Sequence, residues 1–533
     1  MKLIISSKIK LYNDTYYYAL GSEYINENDE YCLNDVKRLH EIAQSIQSEY
    51  ISYIYELNKY FLEFDLILPN NLSIFFLTEV SNKRTEFSDT FLNICHILLI
   101  KEQIERCEIT SISIDKLDSS FVDMLFSCLE GIDISVINRY YKPSISNNLA
   151  TFLLKQIIFA VRFIFSWSLF LGFKTKKNKS KYESIYHSIY PLLWSNCKEI
   201  KYGLSFRKQA FLLSLLSDGM HQGLSLKNFI QAFKAIKKSE STKNLILDSY
   251  LKLRDLKSLV YWSYNLRKKF KLIYIKFPPF KSIDIRKSIF DQLLISSIRI
   301  PRLITISKAY SRVVLNHNFT NFHYHLFEYS YGRMLTAIFR ESSPKTNLIG
   351  YQHGPISNLK LCSWLDRREG ELGQLNPNHV PIPNKILVED KYSAKKYDKS
   401  GYKNIEVMQQ IPRIEYLRSI NRSVRKGTIL IACGLHDTYQ IFHAIKNRFG
   451  ENMSSTYLFK FHPRSKNNSE ISNYIKSFGN VKCVNGPIEH YLSFVEKVIC
   501  TYSSVGEEAK LLGISTEIIL LNDKINESNL LDK

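Results

Sequence analysis

From residue 427 onward, short apolar runs alternate with polar turns and helix-spaced segments. Residues 428–432 read as a strand, Gly434-Leu435-His436-Asp437-Thr438 as a turn, and a helix follows to about Phe449. Further strand-and-turn units start at Tyr457, Val481 and Val498, and a last strand covers 516–521. Short, nearly continuous apolar strands alternating with helices predict a parallel α/β sheet. A closing helix that crosses back is expected to be short or absent.

The first 410 residues are less regular. Residues 2–5 predict a strand, and 36–64 carry apolar residues at helical spacing. Strands are expected at 72–80, 109–114 and 131–137, again alternating with helices. Residues 149–173 are strongly apolar but include Lys155 and Arg162, and a Lys-rich run follows at 174–181. Two readings stand at equal weight: an interfacial membrane helix with a basic flank, or a core helix followed by a basic loop. Helical segments are expected up to about Leu266, then strands at 272–275, 312–315, 347–350 and 385–388, with a helix starting at Ser393. The expected division is an N-terminal α/β domain over 1–410 with a helical insertion around 140–270, a linker over 411–426, and a Rossmann-like domain over 427–533.

Composition narrows the classes. A chain of 533 residues with 45% hydrophobic residues exceeds one core and is not disordered. The formal charge of +21 favours polyanionic substrates, anionic lipid or nucleic acid. Nucleic acid is disfavoured because the Lys and Arg residues are spread along the chain and do not interleave with aromatics. Nine cysteines lack any CxxC or CxxxC pair, so neither a zinc site nor a disulfide framework is readable. The apolar start is too brief for a signal peptide, and a cytoplasmic location is the default expectation.

Candidate chemistry sits at strand exits, where open α/β sheets bind ligands. His462-Pro463 follows one apolar run, and Ser503-Ser504 follows another and opens a helix. A histidine there can donate to a phosphate oxygen, and a helix N-terminus presents unpaired N–H groups to an anion. Gly434 marks the first turn, and Gly506 permits close backbone approach. Gln352-His353-Gly354 closes a strand of the first half, with polar groups directed at the same crevice. Upstream, His323 to Arg333 is dense in titratable groups, and Glu328 is the candidate general base for an acceptor hydroxyl.

The order of Gln352-His353-Gly354, a second Rossmann-like domain, His462-Pro463 and Ser503-Ser504 with Glu508 resembles GT-B glycosyltransferases of bacterial surface polysaccharides. It is most similar to surface carbohydrate proteins related to Kdo transferases and bacterial sialyltransferases, over roughly residues 316–523. The resemblance implies two Rossmann-like domains facing each other across a cleft and a nucleotide-sugar donor, CMP-linked, with no other cofactor. It places His462, Ser503 and Ser504 on the donor phosphate and Glu508 on the ribose. The acidic catalytic motif of the sialyltransferases has no counterpart here. The absence of a DxD triplet fits metal-independent transfer. The expected acceptor is a lipid-linked or oligosaccharide glycan, on an enzyme held at an anionic membrane surface. Two further classes remain open: a polyol-phosphate transferase of the teichoic-acid type, and a basic, non-catalytic membrane- or nucleic-acid-binding protein.

Overall fold

The computed structural model describes residues 1–7, 15–21, 29–85, 88–129, 131–140, 149–171, 180–189, 194–195, 198–199, 201–205, 208–218, 226–238, 244–373, 375–435, 437–451, 454–463, 465 and 469–532. Most of the basic run after residue 173, together with His436 and Arg464, lies outside these residues.

The chain is α/β, and its three larger sheets are parallel throughout. The first contains β1 (Lys2–Ser6), β2 (Tyr16–Ala19), β3 (Ser111–Asp118) and β4 (Asp133–Tyr140), in the order β2-β1-β3-β4. The second starts with β5 (Lys181–Ile189). A small antiparallel sheet of β6 (Trp194–Ser195), β7 (Lys198–Glu199) and β8 (Leu204–Ser205) interrupts it. It resumes with β9 (Ala210–Ser214), β10 (Leu245–Ile246), β11 (Asn318–His325), β12 (Asn347–Tyr351), β13 (Lys385–Val388) and β14 (Ile405–Val407). Its order is β10-β9-β5-β11-β12-β13-β14. The third comprises β15 (Arg425–Ala432), β16 (Thr456–Lys460), β17 (Val481–Val484), β18 (Val495–Cys500) and β19 (Ser515–Ile518), ordered β17-β16-β15-β18-β19.

Counting strands within each sheet, both larger orders begin 3-2-1-4-5, the doubly wound arrangement of Rossmann-like sheets. In each, strand order reverses between the first and fourth strands: β5 and β11 in one, β15 and β18 in the other. The five-stranded sheet shows why its strands are almost wholly apolar. Ile431, Phe459 and Ile499 pack into a core on one face, and Leu430, Leu458 and Val498 into a core on the other. A strand covered on both faces has no polar side to alternate with.

Several expectations for the first 410 residues are corrected. Residues 72–80 are not a strand but a tight turn, Ile74–Leu77, followed by the short helix Glu79–Asn82. The runs at 272–275 and 312–315 are the ends of two helices, Leu256–Ile273 and Arg286–Asn316. Short apolar runs do not distinguish a strand from a buried helical turn. The region read as a helical insertion supplies β5, β9 and β10 to the central sheet, alongside the helices Leu149–Phe170 and Leu226–Lys238. The strands of 1–410 form two larger sheets where one was expected.

The C-terminal segment returns across the chain without a regular helix. Asn522 donates to the Ala19 carbonyl (2.8 Å), and the Asn526 amide donates to His40 Nε2 (3.0 Å). Asp532 accepts from the Asn358 amide (2.9 Å) and from Tyr392 (2.5 Å).

Candidate functional site

The five-stranded sheet holds three of the expected turns on adjacent strands. Gly434 follows β15, His462 follows β16 and Ser503 follows β18; β16 and β18 both pair with β15. At ordinary strand spacing, His462 and the serine pair therefore stand about 10 Å apart, one on each side of Gly434. A side chain at 434 would meet the Asp437 carboxylate, since a Cβ there falls 2.8 Å from Oδ2. Asp437 is fully buried and accepts from the Thr501 hydroxyl. Burial raises its pKa.

Ser503 caps the helix Ser504–Leu511, its hydroxyl accepting from the Val505 amide at 3.4 Å. Ser504 donates weakly to Glu508 (3.5 Å), and both serines stay half-exposed. The His462 carbonyl accepts from the amide and the hydroxyl of Ser465, at 2.9 and 2.7 Å. This closes a tight turn around Pro463, which is exposed, and leaves the ring half-exposed at the sheet edge.

Glu508 is engaged elsewhere. It accepts from Tyr416 (2.7 Å) and pairs with Arg413 (3.4 Å). Arg413 also binds Glu507 (2.9 Å) and, through two nitrogens, Glu389 (2.9 and 2.6 Å). Glu389 directly follows β13 of the seven-stranded sheet. One guanidinium thus joins the C-terminal ends of strands in two sheets, from a segment read only as linker. With its carboxylate held by Arg413 and Tyr416, Glu508 is a bridging residue and not an open ribose ligand.

The end of the seven-stranded sheet is aromatic and basic. His323 stacks on Tyr186 with ring centroids 4.2 Å apart, and His325 lies 4.4 Å from Tyr202. His353 follows β12, and its Nδ1 is buried with no hydrogen bond among the described residues. Its pKa lies well below the usual imidazole range, first because it is buried and then because Lys201, His325, Lys360 and Arg84 are near. Lys360 is pinned by the carbonyls of His353 (3.1 Å) and Pro355 (2.7 Å). Glu199 is fully buried, and burial pushes its pKa up to about 7.

Gln352 and Glu328 are corrected. The Gln352 amide donates to the Gly354 carbonyl (2.9 Å) and the Ser393 hydroxyl (3.2 Å), and accepts from the Glu389 amide (2.8 Å). It braces the turn, where Gly354 adopts φ +77°, and both of its amide hydrogens are already engaged there. Glu328 is buried, bonded by Tyr397 (2.8 Å) and flanked by Phe327, itself 6.1 Å from the Tyr397 ring. It lies in the turn before the helix Ser330–Ser342, not on a helix with Arg333, whose guanidinium binds the Phe76 carbonyl and Ser81. A carboxylate enclosed in an aromatic core does not meet an acceptor hydroxyl.

Arg84, Lys201, Lys360, Glu389, Arg413 and Asp437 were not anticipated. Glu389, directly at a strand exit, and Asp437, in the turn read after residues 428–432, carried a readable signal. The others come from loops that tertiary structure brings together.

No protein-family model matches the chain, and no curated protein matches it. Among solved structures, UDP-GlcNAc 2-epimerase from Neisseria meningitidis bound to UDP-GlcNAc is similar at a TM-score of 0.31 and 11% identity, covering 63% of this chain and 82% of that one.

Proposed function

We propose that the chain is a nucleotide-sugar-dependent glycosyltransferase of GT-B organisation. The five-stranded sheet binds the donor and the seven-stranded sheet presents the acceptor. One observation carries this reading: the reversal point of the five-stranded sheet has a half-exposed serine pair opening a helix, while Arg413 ties that helix to a basic, histidine-rich strand end in the other sheet.

In the proposed reaction an acceptor hydroxyl attacks the anomeric carbon and passes its proton to His353, a half-exposed histidine just past the end of β12. The bond from the anomeric carbon to the phosphate oxygen breaks, and its electron pair stays on the phosphate. The helix N-terminus, Ser503, Ser504 and His462 stabilise that charge without a metal. Glu328 and Glu508 take no part. The donor is proposed to be a CMP-linked acidic sugar, Kdo or a nonulosonate. Support comes from the motif resemblance, and from Lys201, Lys360 and Arg84, cations suited to a sugar carboxylate. The acceptor is proposed to be a growing lipid-linked glycan at the cytoplasmic face of the membrane.

The test is a panel of CMP-, UDP- and GDP-sugars and CDP-polyols, followed by thermal shift and nucleotide release. The expected result is a melting shift and CMP release with a CMP-sugar, both lost in His462→Ala. If no nucleotide moves the melting point, the transferase reading falls. CMP release from a CDP-polyol with a phosphodiester product would assign the chain to the polyol-phosphate transferases.

A further inference from the structure

The helix Leu149–Phe170 has two apolar faces of different character. Phe152, Phe159, Phe163 and Phe170 are buried against the protein. On the opposite side Leu153, Leu154, Ile157, Ile158, Val161 and Ile164 are each 41–59% exposed. Length and composition alone would let the helix cross a membrane.

The inward side rules out a crossing in this fold. Gln156 donates to the Ile298 carbonyl (3.0 Å), and Ser166 donates to the buried Asp248 (2.5 Å). Arg302 donates to Gln156 (3.0 Å) and to the Lys155 carbonyl (2.6 Å). These polar anchors hold the helix flat along the protein over its length of about 33 Å.

Its neighbours share one sign of charge. Helix Leu226–Lys238 touches it through Phe229 against Phe165 and Phe233 against Phe170. Helix Leu256–Ile273 touches it through Arg267, which lies 5.1 Å from the Phe152 ring centre. None of the three helices contains Asp or Glu, whereas Lys155, Arg162, Lys234, Lys268 and Lys271 lie along them. Val260, Tyr261 and Tyr264 are exposed on the third helix. Exposed aliphatic residues, interfacial tyrosines and an all-positive rim match the boundary of an anionic bilayer.

We infer that this three-helix face docks parallel to the surface of an anionic membrane, with the aliphatic side of Leu149–Phe170 sunk among the acyl chains. The docking does not depend on the transferase reading.

The experiment is flotation of the full-length protein with vesicles of phosphatidylglycerol and phosphatidylcholine, or of phosphatidylcholine alone. The expected result is binding to the anionic vesicles only, falling about a hundredfold in Leu153→Glu/Ile157→Glu/Val161→Glu with an unchanged melting point. No binding by the wild-type chain, or equal binding by the variant, would overturn the proposal. So would a lipid-free dimer that the triple variant breaks, because the face would then pair two copies. A single exposed change, Ile157→Trp, guards against misfolding of the triple variant. Its fluorescence is expected to be quenched by brominated phosphatidylglycerol, and absence of quenching refutes the docking.

Discussion

The two Rossmann-like sheets use the same device at the same topological place, and only one of them leaves it open. After its fourth strand, the seven-stranded sheet runs Tyr329-Ser330-Tyr331-Gly332 into a helix; the five-stranded sheet runs Ser503-Ser504-Val505-Gly506 into one. In the first, the helix start is plugged. The Ser330 amide donates to Asn82 (3.2 Å), its hydroxyl donates to the Leu77 carbonyl (3.0 Å), and Asn82 donates back to that hydroxyl (2.8 Å). In the second, the serines make only local bonds among the described residues and stay half-exposed. The same strand order therefore yields a plugged helix start in one sheet and an open one in the other. Strand order alone does not assign the chemistry.

The largest expected effect tests whether the two glycines do equivalent work. A Cβ on Gly332 would fall 2.3 Å from the Leu326 carbonyl oxygen and 2.4 Å from the Phe327 Cα, both backbone atoms. On Gly506 it would meet the Cys500 Sγ at 2.7 Å, a side-chain atom. Backbone cannot move aside as a side chain can, so Gly332→Ala is expected to cost about 3 kcal/mol and Gly506→Ala about 1 kcal/mol. Chemical denaturation checks both. Cys500→Ala should recover most of the Gly506→Ala loss; equal and unrescued losses would break the comparison.

Next in size is a pH effect in the small antiparallel sheet that interrupts the seven-stranded one. The folded pKa of Glu199, about 7, lies above its ordinary value of 4.5 because the group is buried. The folded chain keeps the proton where the unfolded chain has lost it. Stability is therefore full below about 4.5, falls as pH rises to about 7, and levels off above that. The loss across that window is on the order of 3 kcal/mol. Glu199→Gln should flatten the curve over this range in denaturation at fixed temperature, and an unchanged slope would show that Glu199 ionises normally.

The five-stranded sheet was legible because it is assembled from consecutive residues and is covered on both faces. Residues 428–432, 457–459 and 498–500 read as apolar runs and prove to lie in strands. The seven-stranded sheet draws strands from residues 181 to 407, and three of them lie in a region that read as helical. β5 and β11 carry Tyr and His at positions where aliphatic residues were expected, so periodicity gave no clear signal. The site divides in the same way. Gly434, His462, Ser503 and Ser504 sit at strand exits that sequence reveals. Arg413 and Arg84 arrive from loops, and nothing local marks them. Glu328 failed because a stretch dense in titratable groups does not reveal that tertiary packing wraps this carboxylate in Tyr397 and Phe327.

The plug itself gives the next prediction. Asn82→Ala removes both bonds to Ser330 and leaves the Ser330 amide buried without its partner. A cost of about 2 kcal/mol is expected, since a buried unpaired donor bears its full desolvation penalty. Nucleotide affinity should not change. If Asn82→Ala weakens nucleotide binding while the fold holds, the seven-stranded sheet carries the donor and the assignment of the two sheets is reversed.

The smallest expected effect on stability is the most discriminating. Ser503→Ala removes a helix cap with one long bond, 3.4 Å, from a half-exposed position. About 1 kcal/mol or less is expected from loss of the cap alone. If the serine also receives the donor phosphate, the same change deletes a charge-assisted hydrogen bond, and nucleotide affinity should fall about tenfold. The equivalent change in the plugged sheet, Ser330→Ala, should reverse the pattern: a larger stability loss and no change in affinity. Titration calorimetry and denaturation on the two variants then separate capping from binding. Equal affinity in Ser503→Ala and the wild type would leave the open helix start as a cap and nothing more.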